Sequence, residues 1–263
     1  MGHSLTLSKA ALYLADLLTD PEGRKPSVNI GRMRQLLAVR ALHDVSVEGE
    51  APRIDQREIE QLAANTTYIA DYAEYGVEDP IFRVSLRESQ VNPVYAEEDG
   101  RELRTHSGYD YDNLANLSQD MLYGTFEGVW PISDENADFA VDSEAYLLPS
   151  TVGLVKASNV RRITDWEPVA DSTRKYFHTE ELTPDDPLFV ESKKAFFWVD
   201  VPPGRICGFD FDPNVEKQID QFELGGTQAS DADSIDELIA LKMKQLKILD
   251  ELAELKRLKL GLT

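Results

Sequence analysis

A single cysteine, Cys207, stands in a chain of 263 residues, so no disulfide can close within it and no Cys-x-x-Cys zinc or redox pair can be built. Such sparing use of cysteine fits a reducing compartment. Histidine is equally scarce: His3, His43, His106 and His178 are scattered, without the i, i+4 spacing that sets two imidazoles on one helix face to hold zinc. No window approaches 18 uninterrupted apolar residues, which argues against a transmembrane helix. The opening residues lack the basic segment, apolar run and small-residue cleavage site of a secretory signal. Walker loops, dinucleotide fingerprints and Gly-x-Ser-x-Gly elbows are missing too. Together these absences predict a cytoplasmic protein with no cofactor and no membrane association.

Basic charge is also in short supply. Twenty-seven Lys and Arg face 48 Asp and Glu, for a net charge of -21, an excess that repels nucleic acid and anionic lipid while favouring solubility. Residues 1–45 run against this trend with a surplus of bases that includes Arg32, Arg34 and Arg40. Two contacts would suit them. A helix-turn-helix-like pair could reach nucleic acid, or the basic end of one subunit could meet an acidic face of a neighbour, steered by complementary charge.

A hydrophobic share of 42% supports a folded chain, and its texture changes along the length. Apolar residues at helical spacing (Ala11, Leu14, Leu17 and Leu18; then Ile30, Met33, Leu36 and Leu37) predict two helices, the first capped by Ser8. A third is expected from Asp55, where Asp55 and Glu58 have the spacing of a capping box, through Ile59, Leu62, Ala63, Ile69 and Tyr72. Residues 1–78 thus read as a helical subdomain. From 79 to 222, short β-branched and aromatic runs between Gly, Pro, Asn and Asp predict an antiparallel β sandwich or barrel. Hairpins are expected at 94–98 with 101–105, around Asp99-Gly100, and at 195–201 with 205–211. Further strands are expected at 81–86, 123–130, 146–148, 153–156 and 188–190. The predicted class is α+β.

A small, polar stretch at 223–233 reads as a linker to a long amphipathic helix over 234–260. Ser234 and Glu237 have capping-box spacing, acidic residues gather at the start, and Lys256, Arg257 and Lys259 gather at the end, as the helix dipole favours. Heptad steps from Leu238 pass through Leu241, Gln245, Ile248, Leu252, Leu255, Lys259 and Leu262, so the seam is mostly apolar. Ile235 and Leu249 extend the apolar surface beside it. This pattern predicts an oligomerisation or docking helix.

Chemical candidates are few. Asp134, Asn136, Asp138 and Asp142 begin like a calcium loop, but Phe139 and Ala145 stand where an EF-hand needs Gly and Glu, which leaves only a looser cation site between strands. Asp110 with Asp112, and Asp210 with Asp212, alternate with aromatics; extended, each pair would share a face and could act as acid and base. The same alternation arises in any half-buried strand. Cys207 reads as a small buried hydrophobe. The leading expectation is therefore a non-enzymatic structural protein of a large homo-oligomeric complex, of the kind found in virus particles, partnered by itself and by other protein subunits. Its location would then be the cytoplasm, or the virion if viral. The alternatives are a regulatory module touching nucleic acid through its basic helices, or a carboxylate-dependent hydrolase or lyase.

Overall fold

The computed structural model describes residues 3–96, 102–170, 172–188, 194–201 and 206–211. They fall within one compact unit of mixed α+β architecture. The predicted linker and C-terminal helix, with Ile235, Leu238, Leu241, Ile248, Leu249, Leu252 and Leu255, lie outside the described residues. No helix among the described residues is long and apolar enough to cross a membrane.

The chain opens with strand β1 (Ser4–Thr6), antiparallel to β2 (Arg53–Asp55). Between them run α1 (Leu7–Leu17) and α2 (Ile30–Ala38), and α3 (Gln56–Ala64) follows β2 directly. Leu7, Ala10, Ala11 and Leu14 of α1 meet Met33 and Leu36 of α2 and Ile59 and Ala63 of α3 in one apolar cluster, the arrangement that a 3.6-residue period produces. Thr6, rather than the expected Ser8, is the N-cap of α1, because residues 4–6 belong to the β1–β2 ladder and pass straight into the helix. Asn29 and Asp55 cap α2 and α3 by accepting from the backbone N–H of Arg32 and Arg57, each worth about 1 kcal/mol.

The third helix is shorter than its sequence suggests. It stops at Ala64, where the Asn65 side chain and the Thr66 hydroxyl donate back to the carbonyls of Gln61 and Leu62, a local competition that ends helices. Ile69 consequently belongs to strand β3 (Thr66–Ile69), whose β-branched residues suit a pleated surface, and Tyr72 precedes a short 3-10 turn.

A nine-stranded sheet forms the body. Its centre is β8 (Tyr146–Thr151), buried along its whole length. One edge of β8 pairs in parallel with β4 (Ile81–Ser85), which carries β13 (Cys207–Phe211) antiparallel on its far side. The other edge is shared. Arg161 and Arg162 of β10 (Arg161–Pro168) pair with its first residues, and β9 (Leu154–Lys156) pairs with its last. From β9 the sheet continues to β12 (Phe196–Val199) and β3; from β10 it continues to β11 (Lys175–Glu181) and β7 (Gly128–Trp130). The sheet is mixed rather than purely antiparallel, because β12 with β3 and β4 with β8 run parallel.

Strand alternation sorts the core onto the two faces. Leu147, Leu154 and Trp198 lie on one face, against α1–α3 and against α4 (Gln119–Glu127) and α5 (Asp134–Asp142). Ile81, Tyr146, Leu148, Val155, Phe197 and Val199 lie on the other. The first apolar cluster thus joins residues of the first 78 positions to Leu154 and Trp198 of the sheet.

Several expectations need correction. Most of 123–130 is helical: α4 is capped by Ser118, which accepts from the Met121 N–H, and buries Phe126, so its aromatics follow a helical stripe. Strands β12 and β13 do not form a hairpin; each finds a different neighbour. Leu188 is helical, and 189–190 lie outside the described residues. The first hairpin is present as β5 (Gln90–Ala96) with β6 (Glu102–Ser107), its predicted Asp99-Gly100 turn again outside the described residues. Strands β10 and β11 pair antiparallel over 161–181, a stretch for which the sequence predicts no strand.

Candidate functional site

Two of the sequence's candidates, Arg40 and Asp112, line a cleft that opens beside α3. Glu58, Gln61, Leu62 and Asn65 form one wall, Arg40 and Asp112 the other, and Tyr111, Leu154 and Phe196 the floor, around about 280 Å³. Arg40 reaches this place because it ends α2 with φ +58°, a left-handed residue that turns the chain back as a helix C-terminus requires. The Tyr109–Asp112 segment docks onto the end of α2 by a bond from the Tyr111 N–H to the Val39 carbonyl, 2.8 Å. Tyr109 and Tyr111 pack edge to face, centroids 5.6 Å apart, with Tyr109 fully buried.

At the rim His43 stands between two carboxylates. Its backbone N–H donates to Glu58 Oε2 at 3.1 Å, its Nδ1 meets Glu58 Oε1 at 2.5 Å, and its Nε2 meets Asp112 at 3.1 Å. Only the imidazolium can donate from both ring nitrogens at once. The Glu58 bond, reinforced by Asp112, accordingly holds the His43 pKa above its ordinary value. Glu58 is thereby drawn away from the capping box that its spacing suggested. With both nitrogens engaged, His43 clamps α3 to the Tyr109–Asp112 segment.

Asp110 and Asp112 do not work as a pair. Asp110 Oδ2 lies 3.3 Å from Arg40 and accepts from Asn113 at 2.6 Å, while Asp112 faces His43. Asp210 makes a fully enclosed ion pair with Arg83, which also donates to Ser85 Oγ at 2.5 Å; Asp212 lies outside the described residues. The proposed cation loop is the helix α5, capped by Ser133. Asp134 pairs with Lys175, Asp138 accepts from Trp166 Nε1 at 2.9 Å, Asn136 sits in the first turn and Asp142 at the last residue. Among the described residues no three His, Cys, Asp or Glu side chains are grouped to hold a metal.

The basic residues also disperse. Arg32 is turned inward, with a side chain 12% exposed, donating to the carbonyls of Ser27 and Val201 near Asp200. Arg34 is exposed on α2, and Arg40 is tied to Asp110. Cys207 is half-buried, its Sγ 3.7 Å from the Pro131 carbonyl. Two buried polar networks had no sequence signal. Tyr146 donates to Asp186 at 2.5 Å, and Arg162 joins both to Asp79. Glu127 accepts from Thr179 and from Tyr176 at 3.0 Å, with Arg161 beside it. Partners that lie 16 to 83 positions apart carry no local pattern.

No protein-family model matches this chain, and neither a curated protein nor a solved structure does. Its function must therefore be argued from its own chemistry.

Proposed function

We propose that this chain is a non-enzymatic structural subunit of a large homo-oligomeric assembly, joined to copies of itself through the amphipathic segment 234–260. The observation that carries the reading is the commitment of five of its candidate carboxylates. Asp110, Asp112, Asp134, Asp138 and Asp210 each face Arg40, His43, Lys175, Trp166 or Arg83 of the same chain. A general acid or base needs a proton-transfer partner on the substrate within reach, whereas these groups hold the chain's own segments together. A body clamped in this way suits a building block whose shape must persist on assembly. The heptad pattern through Leu238, Leu241, Ile248, Leu252 and Leu255 supplies a joining surface of the coiled-coil kind. A virus particle is one assembly that uses such subunits, and other protein subunits would be its neighbours there.

The test is to place charge on the seam. In the double variant Ile248→Asp, Leu252→Asp, the full chain should fall from oligomer to monomer in light scattering, with the thermal transition of the body unchanged. An oligomer that survives both substitutions would defeat the proposal.

A further inference from the structure

A second cavity carries the opposite sign of charge from the chain as a whole. About 450 Å³ in volume, it lies where the end of β4 approaches β7, with Arg87, Arg174, Ser85, Ser107, Trp130 and Ile206 in its lining. That volume is within the range of small-molecule sites. Arg24, Arg32, Arg40, Arg83, Arg161 and Arg162 all meet carboxylates, as expected where acids outnumber bases almost two to one. Arg87 and Arg174 are exposed and have no carboxylate partner among the described residues. Glu88 is the one acidic residue in the lining, so the cavity keeps a net positive charge.

Both arginines are anchored near the cavity. The Arg87 carbonyl accepts from the Tyr109 N–H at 2.7 Å. Gly108, with φ +75°, fits against it so closely that a Cβ there would lie 2.3 Å from that oxygen, so only glycine permits the approach. Arg174 donates one N–H to the Val129 carbonyl at 3.1 Å, which fixes its guanidinium and leaves further donors of its fork available. The fork of a guanidinium group matches the geometry of carboxylate and phosphate oxygens. Ile206, 51% exposed, and the largely buried Trp130 complete the lining on its apolar side.

We propose that this cavity binds a small organic anion, with its oxyanion against Arg87 and Arg174 and its apolar part against Ile206 and Trp130. The strong negative charge of the whole chain disfavours a polyanion, so the ligand is a small molecule. Benzoate and phenyl phosphate are the probes, titrated calorimetrically into the full chain. Saturable binding of either supports the proposal, and the tighter probe identifies the oxyanion. Arg87→Gln and Arg174→Gln should each weaken it about tenfold, while Arg34→Gln leaves it unchanged. Should a variant fail to fold, its Lys counterpart takes its place, with weakened binding expected because the fork is lost. Two results would overturn the site: no saturation by either probe, or equal affinity in the wild type and the two Arg87 and Arg174 variants.

Discussion

The helical layer and the sheet body are held by different means. Around α1–α3 the interior is apolar: Leu14, Met33, Leu36 and Ile59 are fully buried, and the charged contacts lie around it, His43 with Glu58 at the rim and Asp20 with Arg24 and Arg32 with Asp200 at the loops that flank the helices. The sheet body buries charge as well. Arg83 with Asp210, Arg161 with Glu127, and Arg162 with Asp186 are pairs in which at least one side chain is almost wholly enclosed. Burying apolar surface is favourable in itself, whereas a buried ion is tolerated only while its partner remains. The sheet should therefore be the more brittle region to single polar changes, and the helical layer the more brittle to loss of volume.

The sharpest way to break that contrast is Asp210→Ala, which strands the Arg83 charge. A loss of about 3–5 kcal/mol in unfolding free energy is expected, measured by denaturant titration, and adding Arg83→Met should restore most of it. In the helical layer, Leu14→Ala should cost about 3 kcal/mol through the cavity it leaves, and no second polar substitution should rescue it.

A smaller effect belongs to His43. Its raised folded pKa means that its contribution is fully present below the unfolded pKa and is lost as pH rises through the folded one. His43 is about half exposed, so water and salt screen the clamp and hold it below about 1 kcal/mol. Thermal melts across that pH window should show the decline in the wild type and a flat profile in His43→Gln. Smallest of all, Arg40→Gln should leave the melting temperature almost unchanged, because its bond to Asp110 is solvated.

The same contrast explains what could be read from the sequence. The apolar stripes of α1 and α2 are local, repeat every three or four residues, and placed both helices close to their observed bounds. In β10 and β11 charged and polar residues such as Arg161, Asp165, Glu167, Lys175 and His178 alternate with few apolar ones, so neither strand carries the apolar run that marks a strand in sequence. Their pairing depends on partners far along the chain. The parallel pairing of β4 with β8 was hidden for the same reason, since 65 positions separate Ile81 from Tyr146. At the candidate cleft the sequence offers Arg40, Asp110 and Asp112 as unrelated residues. His43, the group that links α3 to them, looked like an isolated histidine because its two carboxylates lie 15 and 69 positions away.

The central claim concerns assembly, and the most direct measurement is the solution mass of the full chain by light scattering on a sizing column, at low and at high salt. A structural subunit joined through an apolar seam should appear as a multiple of 29.6 kDa under both conditions, because burial of apolar surface does not depend on charge screening. A mass of one chain at both salt concentrations, across the accessible range of protein concentration, would contradict the account.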